Sequence, residues 1–168
     1  LGSIRMTALN GLYFKNLTHS ICTKMHRAGF DQIIFSYNPE QRAEFSQKSA
    51  HDDSFIHKVR TAQTAGLQIH AFVIIGMPDQ SFKGIIEDFN FLESLGIHVK
   101  PSIFYPAPGS RLYEQWALKH QINWNLLRSS AFLIENNNLS RKQVLELCSR
   151  AREKHLHYKR RIEYAHRY

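Results

Sequence analysis

The sequence predicts an α/β protein built on a parallel sheet, and three observations carry that expectation. Segments with helical periodicity alternate with short apolar runs: "ICTKMHRAGFDQIIFS", "HKVRTAQTAGLQIHAFVIIG" and "DFNFLESLGIHVKPSIFY" each read as helix, glycine, strand. The apolar runs are continuous rather than alternating, which is the pattern of strands covered on both faces. The glycine of each unit (Gly29, Gly66, Gly96) falls where a helix ends, a position that favours positive φ. Helices between such strands imply right-handed crossovers, which join parallel neighbours.

Each element has its own justification. Strands are expected near residues 4–9, 32–36, 68–75 and 99–104. The first helix follows Thr18, a capping residue, with Leu17, Ile21 and Met25 spaced by four. The second follows Asp52-Asp53, with Phe55, Val59 and Ala62 as its apolar stripe. A third follows Ser81 and repeats the pattern at Ile85, Phe89 and Leu92. A further helix is expected from about 111 to 119. A last long helix starts near Ser140, its stripe formed by Val144, Leu147, Cys148 and Ala151. The polar stretch 39–54 reads as a loop or a short helix.

Composition bounds what such a chain can be. Its 168 residues, 43% hydrophobic, suffice for one domain with a real core and argue against disorder. The apolar runs near 71–75 and 102–106 are far too short to cross a bilayer, and the first residues show no signal-peptide pattern. The expectation is a cytoplasmic protein with no membrane partner. Cys22 and Cys148 lie far apart, at no metal-ligand spacing, and read as two small buried thiols. The formal charge of +8 is uneven: residues 141–168 carry nine Lys or Arg against three Glu. Such a segment is ordinarily a solvated helix, although RNA or another anionic surface would fit it. The ten histidines include no H-E-x-x-H, and His155 and His157 diverge on a helix, so no metal site is expected. Nucleophile-elbow, phosphate-loop and dinucleotide-binding motifs are missing too.

In a parallel sheet, ligands gather at the carboxyl ends of the strands. Here those ends are Asn10-Gly11, Ser36-Tyr37-Asn38, Gly76-Met77-Pro78-Asp79-Gln80 and Tyr105-Pro106-Ala107-Pro108-Gly109. Taken in order, the segments "ALNGLYF", "AGFDQIIFSYN", "AGLQIHAFVIIGMPDQS" and "PSIFYPAPGSRLYEQW" resemble strands three to six of the radical S-adenosylmethionine superfamily. The similarity runs over about residues 4–152, nearest in flavour to cobalamin-associated and methylthiotransferase-like members. It implies a partial parallel β/α barrel, an incomplete TIM-like barrel with four strands present, over residues 1–120. Residues 121–168 would form a helical extension with a basic tail.

The resemblance also implies a cofactor and its contacts. S-adenosylmethionine would lie across the strand ends, with Ser36 or Asn38 on the ribose hydroxyls. The fifth-strand pattern G-x-I-x-G-x-x-E, which cradles adenine, is matched by Ile74 and Gly76, with Asp79 at the Glu position. Phe72 replaces its first Gly, and Tyr105 would pack near the adenine. An equally good local reading makes Ile74 core, Gly76 to Pro78 a turn, and Asp79 or Ser81 a helix cap.

The family's C-x₃-C-x₂-C, which holds a [4Fe–4S] cluster, is nowhere in the chain, and two distant cysteines cannot replace it. No residue is therefore assigned a catalytic or metal-ligating role. The expectation is a fragment of a radical enzyme's core, inactive alone, whose intact parent would cleave S-adenosylmethionine to a hydrogen-abstracting radical; a degenerate homologue is the rival. A truncated sheet would expose an edge for self-association or a covering partner. The other functional reading is a non-catalytic α/β module for a nucleotide-like ligand, a protein partner or RNA.

Overall fold

The computed structural model describes residues 6–8, 12–37, 55–117 and 138–165. In chain order the elements are β1 (Met6–Ala8), a 3₁₀ turn (Phe14–Asn16), α1 (His19–Arg27), β2 (Phe30–Tyr37) and α2 (Phe55–Thr64). They continue as β3 (Gln68–Ile75), α3 (Phe82–Ser94), β4 (His98–Ile103), α4 (Arg111–Ala117) and α5 (Arg141–Ala165). All three strand pairings are parallel, and the strand order is β1-β2-β3-β4. Sequential order with crossovers of one hand puts the connecting helices on one face of the sheet. The winding runs in one direction from β1 to β4, and the described strands form an open sheet.

Where they fall on described residues, the predicted boundaries hold to within about two residues, for local reasons; the ends of the 4–9 strand and of the 111–119 helix lie outside the described residues. Thr18 caps α1 by accepting from the Ile21 N–H at 3.3 Å. Ser81 caps α3 by accepting from the Gly84 N–H at 3.1 Å, so the cap is Ser81 and not Asp79. Ser140 and Gln143 form a reciprocal box at the start of α5: the Gln143 N–H donates to Ser140 Oγ, and the Ser140 N–H to Gln143 Oε1. Gly66 and Gly96 close α2 and α3 at φ 89° and 73°. The expected 39–54 connection, Asp52 and Asp53 lie outside the described residues.

Burial shows why one face of the sheet carries the helices. Phe35, Tyr37, Ala71, Val73, Ile75 and Val99 alternate along the strands and share a single core with residues of every long helix. That core takes Phe55, Val59 and Ala62 from α2, and Ile85, Phe89 and Leu92 from α3. From α1 it takes Cys22, not Ile21, which is 42% exposed. Leu17 and Met25 pack on the core as expected, so the buried face of α1 runs through Cys22 and Met25 and leaves Ile21 outside it. Val144, Leu147 and Ala151 bring α5 into the same core, against β4 and α3.

The expectation of strands buried on both faces holds low in the sheet, where Ile34 and His70 are buried on the second face, and is corrected toward the carboxyl ends. Ser36 and Ile74 point to the other face and are exposed, and β4 alternates polar His98, Lys100 and Ser102 with Val99, Pro101 and Ile103. A continuous apolar run hid a two-sided environment, because Phe72 and Ile74 are apolar residues on a partly open face.

Candidate functional site

Register assembles the open face in rows, since residues paired across parallel strands point the same way. The lowest row, toward the amino-terminal ends, is Ile34, His70 and His98. Above it lie Ser36, Phe72 and Lys100, and then Ile74 beside Ser102. The Phe104 N–H donates to the Ile75 carbonyl at 2.8 Å, which extends the pairing past β4 and brings Phe104 level with Gly76 and Tyr105 level with Met77. The upper rows and the rim are open: Ile74 is 39% and Tyr105 41% exposed.

Of the sequence-predicted residues, Ser36, Ile74 and Gly76 therefore gather along one rim, and Tyr105 lies one step past it, level with Met77. Asp79 sits exposed on the turn after β3, and Asn38 lies outside the described residues. Gly76 is buried at φ 97°, a backbone state that a β-carbon would strain. Gln80, which the sequence reading passed over, holds this turn. Its Oε1 accepts from the Gly76 and Met77 N–H groups at 2.8 and 3.0 Å, while its Nε2 donates to the Ile74 carbonyl at 2.8 Å. The rim thus has a rigid shape and offers an aliphatic side chain, an aromatic ring and a hydroxyl. It suits a flat, partly apolar ligand with polar edges.

A second constellation escaped the sequence reading. His70, His98 and His155 come from β3, β4 and α5, with ring centroids 5.1, 6.2 and 6.5 Å apart. His70 is 1% exposed, and neither ring nitrogen has a hydrogen-bond partner among the described residues. Burial drives its pKa down to about 3, and the charge of Lys100 adds to the effect. Burial likewise lowers His98 to about 4, with His155 and Lys100 contributing. Both rings are neutral at pH 7. The polar alternation in "HVKPSI" was the sequence signal for one of the three, His98; His155 joins only through the tertiary fold. Beside the cluster a cavity of about 320 Å³ is lined by His98, Ala151, Lys154, His155, His157 and Glu93, among others. Glu93 accepts from Arg150 at 3.1 Å and also pairs with Lys154.

Among the described residues no group of three or more His, Cys, Asp or Glu is placed to hold a metal ion. Cys22 is buried and Cys148 half-buried, and desolvation raises both thiol pKa values, the reverse of a cluster-ligating thiolate. An iron–sulfur cluster does not fit this chain's cysteines. No described helix is long and apolar enough to cross a membrane. No protein-family model matches the chain, and no curated protein matches it significantly.

Proposed function

We propose that this chain forms part of the wall of a radical S-adenosylmethionine-type β/α barrel, the part that holds the adenosine of S-adenosylmethionine. The observation that carries this reading is the common rim of Ser36, Ile74 and Gly76, with Tyr105 just beyond it, on a singly wound parallel sheet. Ile74 offers an apolar surface to adenine, Gly76 a close backbone approach, Ser36 a hydroxyl for the ribose, and Tyr105 an aromatic lid. The reductive chemistry of that family needs an iron–sulfur cluster, whose ligands would have to come from outside this chain. By itself the chain binds and orients, and has no turnover. What the parent enzyme acts on is set by parts other than this rim.

Calorimetric titration with S-adenosylmethionine tests the proposal directly. Saturable binding is expected, with a loss of at least about tenfold for Ile74→Asp, which puts a charge against the apolar ring. Treatment with iron and sulfide should leave the protein colourless. The absence of nucleoside binding, or a stoichiometric brown cluster, would overturn it.

One observation favours the binding-module alternative: Arg141, Lys142 and Arg152 project from α5 into solvent. Affinity for RNA that falls steeply with salt, without nucleoside binding, would select that reading.

A further inference from the structure

We infer that Gln80 is the positioning residue of the rim: its side-chain amide stands in for a residue of a neighbouring strand and fixes Gly76 where a ligand meets it. This rests on the reading of the rim as an adenosine site and adds the residue that shapes it.

The pattern of bonds identifies the role. In a parallel sheet, one residue of the neighbouring strand donates to a carbonyl and accepts from the N–H two residues further along. Gln80 reproduces that pair on β3. Its Nε2 donates to the Ile74 carbonyl at 2.8 Å, and its Oε1 accepts from the Gly76 N–H at 2.8 Å. The side it serves is that of β2. The Ile75 carbonyl faces β4, where it accepts from the Phe104 N–H, so by alternation the Ile74 carbonyl and the Gly76 N–H face the other way. Among the described residues, pairing of β2 with β3 ends at Tyr37 beside Val73, just short of Ile74. A side chain from beyond the turn thus continues the ladder where that pairing stops.

The same residue sets the turn. Gln80 Oε1 also accepts from the Met77 N–H at 3.0 Å, and the Gln80 N–H donates to the Met77 carbonyl at 3.2 Å. Gly76 stands at φ 97°; a glycine is free to leave that state, and these bonds remove the freedom. A ligand approaching Gly76 finds the backbone already in place, and its affinity is not reduced by the entropy of ordering it. With both N–H groups engaged by Gln80, the turn meets the ligand through shape and apolar contact.

The test compares the whole chain with Gln80→Ala, Gln80→Glu and Lys83→Gln, by calorimetric titration with S-adenosylmethionine and by amide hydrogen exchange at pH 7. Gln80→Ala should speed exchange at Gly76 and Met77 about tenfold or more and weaken S-adenosylmethionine about tenfold, while the inner amides of β3 keep their protection. Gln80→Glu keeps an acceptor for both N–H groups but loses the donor to Ile74, so it should fall between the parent and Gln80→Ala. Lys83, exposed on the first turn of α3, takes no part in these bonds, and Lys83→Gln should bind as the parent does. A Gln80 that only stabilised the fold would lower the urea midpoint and leave the affinity of the folded protein untouched. The inference is overturned if Gln80→Ala binds as tightly as the parent, or if its Gly76 and Met77 amides stay protected. Should Gln80→Ala not fold, Gln80→Glu decides on the same two readings. If the parent itself binds no S-adenosylmethionine, the adenosine reading falls and the inference with it; binding by the parent without loss in the variants overturns the inference alone.

Discussion

His70 occupies a strand position where an aliphatic side chain would pack at no electrostatic cost. Its ring stays neutral to about pH 3 and that of His98 to about pH 4, because burial opposes charging beside Lys100 and His155. In the unfolded chain both rings take up a proton near pH 6.5. Between those values the unfolded state binds more protons, so stability falls as pH drops below about 6.5 and levels off only below the folded pKa values. The slope approaches about 1.4 kcal/mol per pH unit for a fully buried ring and is smaller for the half-buried His98. Urea midpoints measured from pH 7 to 4 should decline accordingly, and His70→Leu should make the decline shallower. A midpoint flat over that range would mean that the rings charge as freely in the fold as outside it. None of this was legible in residue identities, since a lone histidine in an apolar run says nothing of its neighbours.

Helix and strand boundaries were the most legible part of the chain because they are set by local chemistry. A hydroxyl at Thr18, Ser81 or Ser140 satisfies N–H groups that a new helix leaves unpaired, whatever surrounds it. Ser81→Ala should cost about 1 kcal/mol in chemical denaturation. Gly66→Ala and Gly109→Ala separate backbone strain from crowding. Both sit at positive φ, 89° and 78°, which costs an L-residue about 1–2 kcal/mol. At Gly66 an added β-carbon would also lie 2.8 Å from His26 Cε1, whereas at Gly109 it meets nothing within 4 Å. Gly66→Ala should therefore be the more destabilising of the two, and equal losses would mean that His26 swings aside without cost. The face each strand presents was less legible. Apolar residues mark burial in bulk, but Ile74 shows that they also line an open rim.

At the scale of the molecule, the two sides of the sheet are finished differently. On the β4 side, α5 buries Val144, Leu147 and Ala151 and is tied to α3 by Arg150 and Lys154 on Glu93. On the other side stands β1, three half-buried residues with an irregular register against β2. The Met6 N–H donates to the Gly29 carbonyl, so by alternation the Thr7 N–H points away from β2. A strand added there would continue the sheet. Sedimentation velocity should show concentration-dependent self-association, reduced by Thr7→Pro, which removes the outward donor and spares the bond from Met6. A monomer at every concentration would show that this edge is not adhesive.

The sequence by itself determined the α/β class, the parallel sheet, the helix caps and the glycine stops, because each depends on interactions within a few residues or on a simple period. It also marked Ser36, Ile74, Gly76 and Tyr105 as lying at or near strand ends, since strand ends are readable wherever strands are. Tertiary structure decided which strand face stayed open, how Gln80 locks the turn at Gly76, and that residues 70, 98 and 155 meet. Those outcomes depend on register and on where α5 lands, and both are settled by packing between segments remote in the chain.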